Sequence, residues 1–117
     1  MSLIVYGIPT CDTCKKALKW LNDRDIQYTW IDTRSTLPSK TDIQKWVHQL
    51  GNKPLRNTSG KSYRALDKNK ESWTNEQWVE AFANDPMLLK RPLFVKNDIA
   101  IFTGFRGTDA ELEHQLL

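Results

Sequence analysis

Cys11 and Cys14 stand in the run Cys11-Asp12-Thr13-Cys14, and they are the only two cysteines among 117 residues. The apolar run Leu3-Ile4-Val5-Tyr6 comes first and the short loop Gly7-Ile8-Pro9-Thr10 follows. Ala17, Leu18 and Leu21 then recur at helical spacing. Cys11 therefore falls at a helix N-terminus directly after a strand. Unpaired backbone N–H groups and the helix dipole favour an anion there, and the thiolate is the nucleophilic form of cysteine. Residues three apart share a helix face, so the two sulfurs can approach within disulfide range. The first sulfur is the more exposed, which makes Cys11 the attacking thiolate and Cys14 the resolving thiol. A Cys-x-x-Cys near a βαβ pattern reads as a redox motif.

Two plainer readings compete. A structural zinc ion takes four protein ligands, and only His48 and His114 could join the cysteines; neither lies in a ligand-type cluster. Buried cysteines are also commonly inert. Redox or nucleophilic chemistry is preferred, with no metal and no bound cofactor.

Lowering a thiol pKa requires nearby positive charge or hydrogen-bond donors. Lys15 and Lys16 point away from Cys11 in any regular helix. Arg91 precedes Pro92 at the entrance to a strand, where the X-Pro bond is one of the few that can be cis. Arg106 lies in Gly104-Phe105-Arg106-Gly107, and Arg56 and Arg64 come from the central part of the chain. Two or three of these guanidiniums converging on the helix N-terminus would form an oxyanion pocket, since arginine binds planar oxyanions bidentately. Taken singly, each arginine is also what an ordinary solvated surface charge looks like.

The elements that must position these groups read as follows. A strand over about 2–7, a helix over about 12–23 and a strand over about 27–32 make a right-handed βαβ unit. A second helix starts at Ser39, with Asp42 in the place of a capping-box acid. Ile43, Trp46, Val47 and Leu50 form its apolar face, and Gly51 stops it. Residues 51–62 read as loop, followed by one short turn at Tyr63-Arg64-Ala65-Leu66. Thr74 and Gln77 form a capping box for a further helix carrying Trp78, Ala81 and Phe82. Asp85-Pro86 ends it, and Pro86-Met87-Leu88-Leu89 opens a short new helix. Leu93-Phe94-Val95 and Ile99-Ala100-Ile101-Phe102 flank a tight turn at Lys96-Asn97-Asp98, which reads as a hairpin. The last helix runs from Thr108, with Glu111 completing its capping box and Leu112 and Leu116 facing inward.

The fold class is α/β: βαβ, a helical insertion over about 35–89, then ββα, all in one domain spanning 1–117. Its core is expected from about 1–34 and 90–117. The length suits one core. With 17 basic against 14 acidic residues the net charge is +3, too little to argue for direct nucleic-acid binding. No apolar stretch approaches the roughly 20 residues of a membrane span, and no signal peptide is evident. Two cysteines are too few for a secreted disulfide framework, so the expectation is a cytoplasmic monomer. The five tryptophans sit mostly at apolar element positions and read as core.

Over essentially its whole length the sequence resembles the family of glutaredoxin-linked arsenate reductases and Spx-type regulators. The carriers are Val5-Tyr6-Gly7 leading into Cys11-Asp12-Thr13-Cys14-Lys15-Lys16-Ala17; Leu55 through Leu66 with Asn57-Thr58-Ser59-Gly60; Leu89-Lys90-Arg91-Pro92-Leu93; and Gly104-Phe105. The resemblance implies a thioredoxin-like fold with a helical insertion. It also implies a thiolate at Cys11, an oxyanion held by three arginines, and resolution by glutathione and glutaredoxin. Two of those arginines map to Arg91 and Arg106, and Arg56 is near the place of the third. Pro92 is implied to be cis and to abut the active cysteine. The chain departs from the reductases at Gly7-Ile8, where they carry polar residues, and at Cys14, where they carry serine. The Cys-x-x-Cys follows the Spx pattern.

Two functions follow. The first is a thiol-dependent reductase, in which Cys11 attacks an oxyanion, a disulfide or a glutathione adduct. Arg91 and Arg106 stabilise charge, and glutathione with glutaredoxin, or thioredoxin, acts as reductant. The alternative is a redox-switched regulator whose Cys11–Cys14 pair is read by RNA polymerase near the second helix and Gly51.

Overall fold

The computed structural model describes residues 2–117; Met1, included in the expected domain range, lies outside the described residues. Four strands form one sheet: β1 (Leu3–Gly7), β2 (Thr29–Asp32), β3 (Leu93–Lys96) and β4 (Ile99–Thr103), in the order β2-β1-β3-β4. β1 and β2 are parallel, with Val5 opposite Trp30. β1 and β3 are antiparallel, with Val5 opposite Phe94, and β3 and β4 are antiparallel. This is the thioredoxin-like α/β arrangement expected from the sequence.

Side chains alternate across a strand, and that alternation builds two cores. On one face Leu3, Val5 and Phe94 meet α1 (Asp12–Asp23), through Ala17 and Leu21, and α5 (Asp109–Leu116), through Leu112 and Leu116. On the other face Leu93 and Val95 meet α2 (Lys40–Leu50) and α4 (Asn75–Asn84), through Trp46, Trp78 and Phe82. Because β1 and β3 are covered on both sides, they read as unbroken apolar runs. α1 is pinned to α5 by Trp20 Nε1, which donates to Asp109 Oδ1 at 3.1 Å.

The capping signals have the expected physical partners. Ser39 accepts from Asp42 N, the Thr74–Gln77 box is closed in both directions, and Thr108 accepts from Glu111 N. Gly51 ends α2 at φ +82°, a conformation side chains disfavour. The β3–β4 turn places Asn97 and Asp98 at φ +51° and +68°, as a two-residue primed hairpin turn requires.

Three local expectations change. β2 begins at Thr29 rather than near residue 27, because Tyr28 is drawn back to α1 by its hydroxyl bond to Asn22. The stretch 51–62 is not all loop: Lys53–Leu55 is a 3₁₀ turn and α3 covers Lys61–Arg64. α3 therefore starts two residues before the expected turn, since Arg64 N and Ala65 N bond back to Gly60 O and Lys61 O. Pro86–Leu88 is a 3₁₀ turn instead of a short helix, capped by Asp85 Oδ1 on Met87 N. A pairing without local sequence signal completes the frame. Asn57 N donates to Leu88 O at 2.7 Å and Lys90 N to Leu55 O at 2.8 Å, so residues 55–57 lie beside 88–90.

Candidate active site

Cys11 is the N-cap of α1, with extended backbone at φ −85° and ψ 120°. Its N–H donates to Ile8 O at 3.2 Å and its carbonyl accepts Lys15 N at 3.0 Å. The loop and the first helical turn thus fix the sulfur at the open end of the sheet. Cys11 is half-buried; Cys14, one turn inside, is only 1 % exposed. Both are free thiols.

The environment separates the two sulfurs electronically. Burial raises the Cys11 pKa, but the Cys14 N–H, the Cys14 thiol, the Thr13 N–H and the Arg91 charge outweigh it. The net result lies below the ordinary thiol value of 9.0. Cys14 is pushed up to about 12, first by burial and then, against the Ile8 N–H, by the neighbouring Cys11. Cys11 is therefore the more acidic of the two thiols and Cys14 the one that holds its proton more tightly, in line with the effect of a helix N-terminus on a thiol. Lys15 and Lys16 are exposed.

Cys11 opens into a cleft of about 640 Å³ that also takes Thr13, Arg56, Lys90, Arg91 and Arg106 in its lining. Among the described residues its lining contains four cationic side chains and no carboxylate. Arg91 is placed by the Arg91–Pro92 peptide, which is cis. Its Nη1 reaches Leu89 O at 3.3 Å and Met87 O at 3.4 Å, while its buried Nε has no partner among the described residues. Pro92 is buried beneath and does not line the cleft; its carbonyl accepts Gly104 N at 2.8 Å. That bond ties the Arg91 segment to the 104–107 loop, from which exposed Arg106 enters.

Arg56 also lines the cleft, carried there by the 55–57/88–90 pairing. It is 7 % exposed and held on several sides. Its Cζ lies 4.0 Å from the Trp78 ring centroid, Nη1 meets Glu71 at 3.2 Å, and Nη2 donates to Asn52 Oδ1. Arg64 does not reach the cleft. Its Nη1 turns back to Ser59 O at 2.8 Å and closes the 59–64 turn. Sequence reasoning did not single out Lys90 as a site residue, although it immediately precedes Arg91; nor did it single out Thr13, whose N–H faces the Cys11 sulfur. Among the described residues no group of His, Cys, Asp or Glu could hold a metal ion, and no helix is long and apolar enough to cross a membrane.

The model of the ArsC family matches residues 6–107. The chain belongs to the ArsC family. It is 34% identical over 115 residues to the protein YusI of Bacillus subtilis, covering 95% of this chain and 97% of that one. It is also similar to a crystal structure from Streptococcus mutans UA159, described as a possible arsenate reductase. There the TM-score is 0.84 at 34% identity, over 95% of this chain and 97% of the other. A more distant ArsC-family relative is the global transcriptional regulator Spx of Listeria innocua, 28% identical over 78% of this chain and 71% of that protein. The family thus contains proteins named as reductases and as regulators.

Proposed function

We propose that this protein is a thiol-dependent reductase whose Cys11 thiolate attacks a disulfide, a glutathione adduct or an oxyanion. The observation that carries the reading is the position of Cys11: a sulfur with lowered pKa at a helix N-terminus, in a cleft lined by Arg56, Lys90, Arg91 and Arg106.

For a glutathione adduct RS–SG the steps balance as follows. Cys11 S⁻ attacks the glutathione sulfur, the S–S bond breaks, and RS⁻ leaves and takes a proton. The mixed disulfide on Cys11 no longer carries the charge that adds to burial in raising the Cys14 pKa. Cys14 then loses its proton and attacks Cys11 Sγ, expelling glutathione thiolate. The product is a Cys11–Cys14 disulfide, and the two electrons lost by the thiols have reduced the adduct. Two further thiols, from glutathione with glutaredoxin or from thioredoxin, return the pair to the reduced state. Arg91 and Arg106 hold the anionic parts of the substrate and of the departing thiolate. For an oxyanion such as arsenate, the same cationic cleft holds the anion while Cys11 S⁻ displaces an oxygen, which leaves as water after protonation. A second thiol, from Cys14 or glutathione, then attacks Cys11 Sγ, and the S–As bond breaks with its electron pair left on arsenic, reducing As(V) to As(III).

A second reading rests on the presence of Cys14 and on the Spx relative. Here the Cys11–Cys14 disulfide alters the start of α1 and RNA polymerase reads the change. The two separate experimentally. Turnover of a glutathione mixed disulfide or of arsenate, in a coupled system with glutathione, glutathione reductase, NADPH and glutaredoxin, supports the reductase if Cys11→Ser abolishes it. Absence of turnover with every substrate, in folded and reduced protein, contradicts it.

A further inference from the structure

Arg56 reaches the cleft already partnered by an anion. Glu71 lies outside the cleft lining, in the 3₁₀ turn Lys68–Ser72. Its Oε2 and Oε1 take Arg56 Nη1 at 3.2 and 3.4 Å. Tyr63 holds the same carboxylate, donating from its hydroxyl to Oε1 at 2.8 Å. Asn52 accepts from Nη2 and the Trp78 indole covers the guanidinium face. Among the described residues the buried Nε has no partner, and Nη2 keeps a second N–H beyond the one given to Asn52. A guanidinium recognises a planar or tetrahedral oxyanion through two parallel N–H bonds. Glu71 already occupies Nη1 while Asn52 takes one of the two Nη2 N–H groups, so the Nη1–Nη2 edge is engaged.

We infer that Glu71 is a specificity-determining residue: from behind Arg56 it neutralises one of the four cleft cations and opposes compact multiply charged oxyanions. Such an anion gains the Nη1–Nη2 edge of Arg56 only by displacing Glu71. A substrate whose charge is dispersed over a peptide, as in a glutathione adduct, needs no such exchange. Glu71 can be displaced: its side chain is 65% exposed in a short turn, and Tyr63 and Arg56 are its side-chain partners among the described residues. The inference rests on the cleft being the substrate site and deepens that reading by naming the substrate class it favours.

The test uses sulfate as the probe and the rate of Cys11 alkylation by iodoacetamide as the readout, each variant normalised to its own rate without sulfate. Sulfate bound in the cleft shields Cys11. Glu71→Gln is expected to tighten sulfate protection about fivefold, the upper range for one exposed ion-pair partner. Tyr63→Phe, which leaves the charge but removes one of its anchors, is expected to tighten it by a smaller factor. Unchanged or weaker protection in Glu71→Gln overturns the inference, and so does an absence of protection in all variants. If Glu71→Gln does not fold, unchanged protection in Tyr63→Phe overturns it alone. The readout is anion binding, so loss of the reductase reading by a turnover assay leaves this result separately interpretable.

Discussion

Gly7 and Cys14 are in direct steric competition: a Cβ on Gly7 would lie 2.5 Å from Cys14 Sγ, with the Trp30 ring 2.9 Å away on the other side. Strand β1 ends where the resolving sulfur needs its volume, and only a residue without a side chain leaves it. The backbone of Gly7 also anchors the next segment, since its carbonyl accepts Thr33 N at 2.9 Å. Gly7→Ala is expected to destabilise the fold by about 1–3 kcal/mol, the range for overpacking a tight site. Adding Cys14→Ala removes the nearest atom and should recover part of that loss. Urea unfolding of the two single variants and the double variant checks this, and strict additivity would contradict it.

The two thiols should titrate far apart. Cys11, lowered by the donors at the start of α1 and by Arg91, should alkylate with a midpoint below pH 9.0, and Cys14 only near pH 12. Arg91→Ala removes a positive charge and should move the Cys11 midpoint upward. Mass-resolved alkylation against pH reads both. The same values set opposite stability trends. Above pH 9.0 the unfolded chain releases the Cys14 proton that the folded chain keeps, so this contribution to stability is lost between pH 9.0 and about 12. Cys11 stabilises the fold above the unfolded thiol value, and that contribution is lost as pH falls through its lowered folded pKa.

The arginines should divide by geometry. Arg91→Ala and Arg106→Ala each remove a cleft cation and are expected to lower kcat/KM by about 10²-fold, as for loss of one anion-stabilising donor. Arg64→Ala should leave it within about twofold, the order of a surface change, because its guanidinium closes the turn at Ser59. Steady-state kinetics of the three variants decide it; an Arg64 effect as large as that of Arg91 would place Arg64 in the site.

Helix α4 carries Trp78, the indole beneath Arg56, and depends on its closed capping box. Thr74→Ala is expected to cost about 1 kcal/mol, read as a lower urea midpoint with unchanged slope. A neutral result would mean that tertiary packing alone holds the helix.

Much of this arrangement is legible in single-sequence terms where the signal is local. The strand-loop-helix run around Cys11, the three N-caps and the 97–98 turn are each decided by residues within a few positions of one another. The depth of Cys14 follows from helical spacing in the same way. The contacts that bring Arg56 into the cleft are not local. Leu55-Arg56-Asn57 has the composition of a loop, and its pairing with 88–90 is satisfied by backbone groups that carry no sequence mark. The Arg56–Glu71 pair spans 15 residues across α3, and nothing in the spacing distinguishes Glu71 from its charged neighbours. Spacing alone does not separate Arg56 from Arg64 for the same reason, and only the family resemblance places Arg56 near the third pocket arginine. Only the path of the chain sends one under the cleft and turns the other back to Ser59.

Cys11 is expected to carry the reduction as a thiolate. The most direct measurement is NADPH consumption coupled through glutathione reductase, glutathione and glutaredoxin, with arsenate or a glutathione mixed disulfide as substrate, comparing wild type, Cys11→Ser and Cys14→Ser. Turnover is expected in the wild type, falling to background in Cys11→Ser and persisting at a reduced rate in Cys14→Ser, where glutathione can resolve the intermediate. Turnover that survives Cys11→Ser, or its absence in folded, reduced wild-type protein with every substrate, would contradict it.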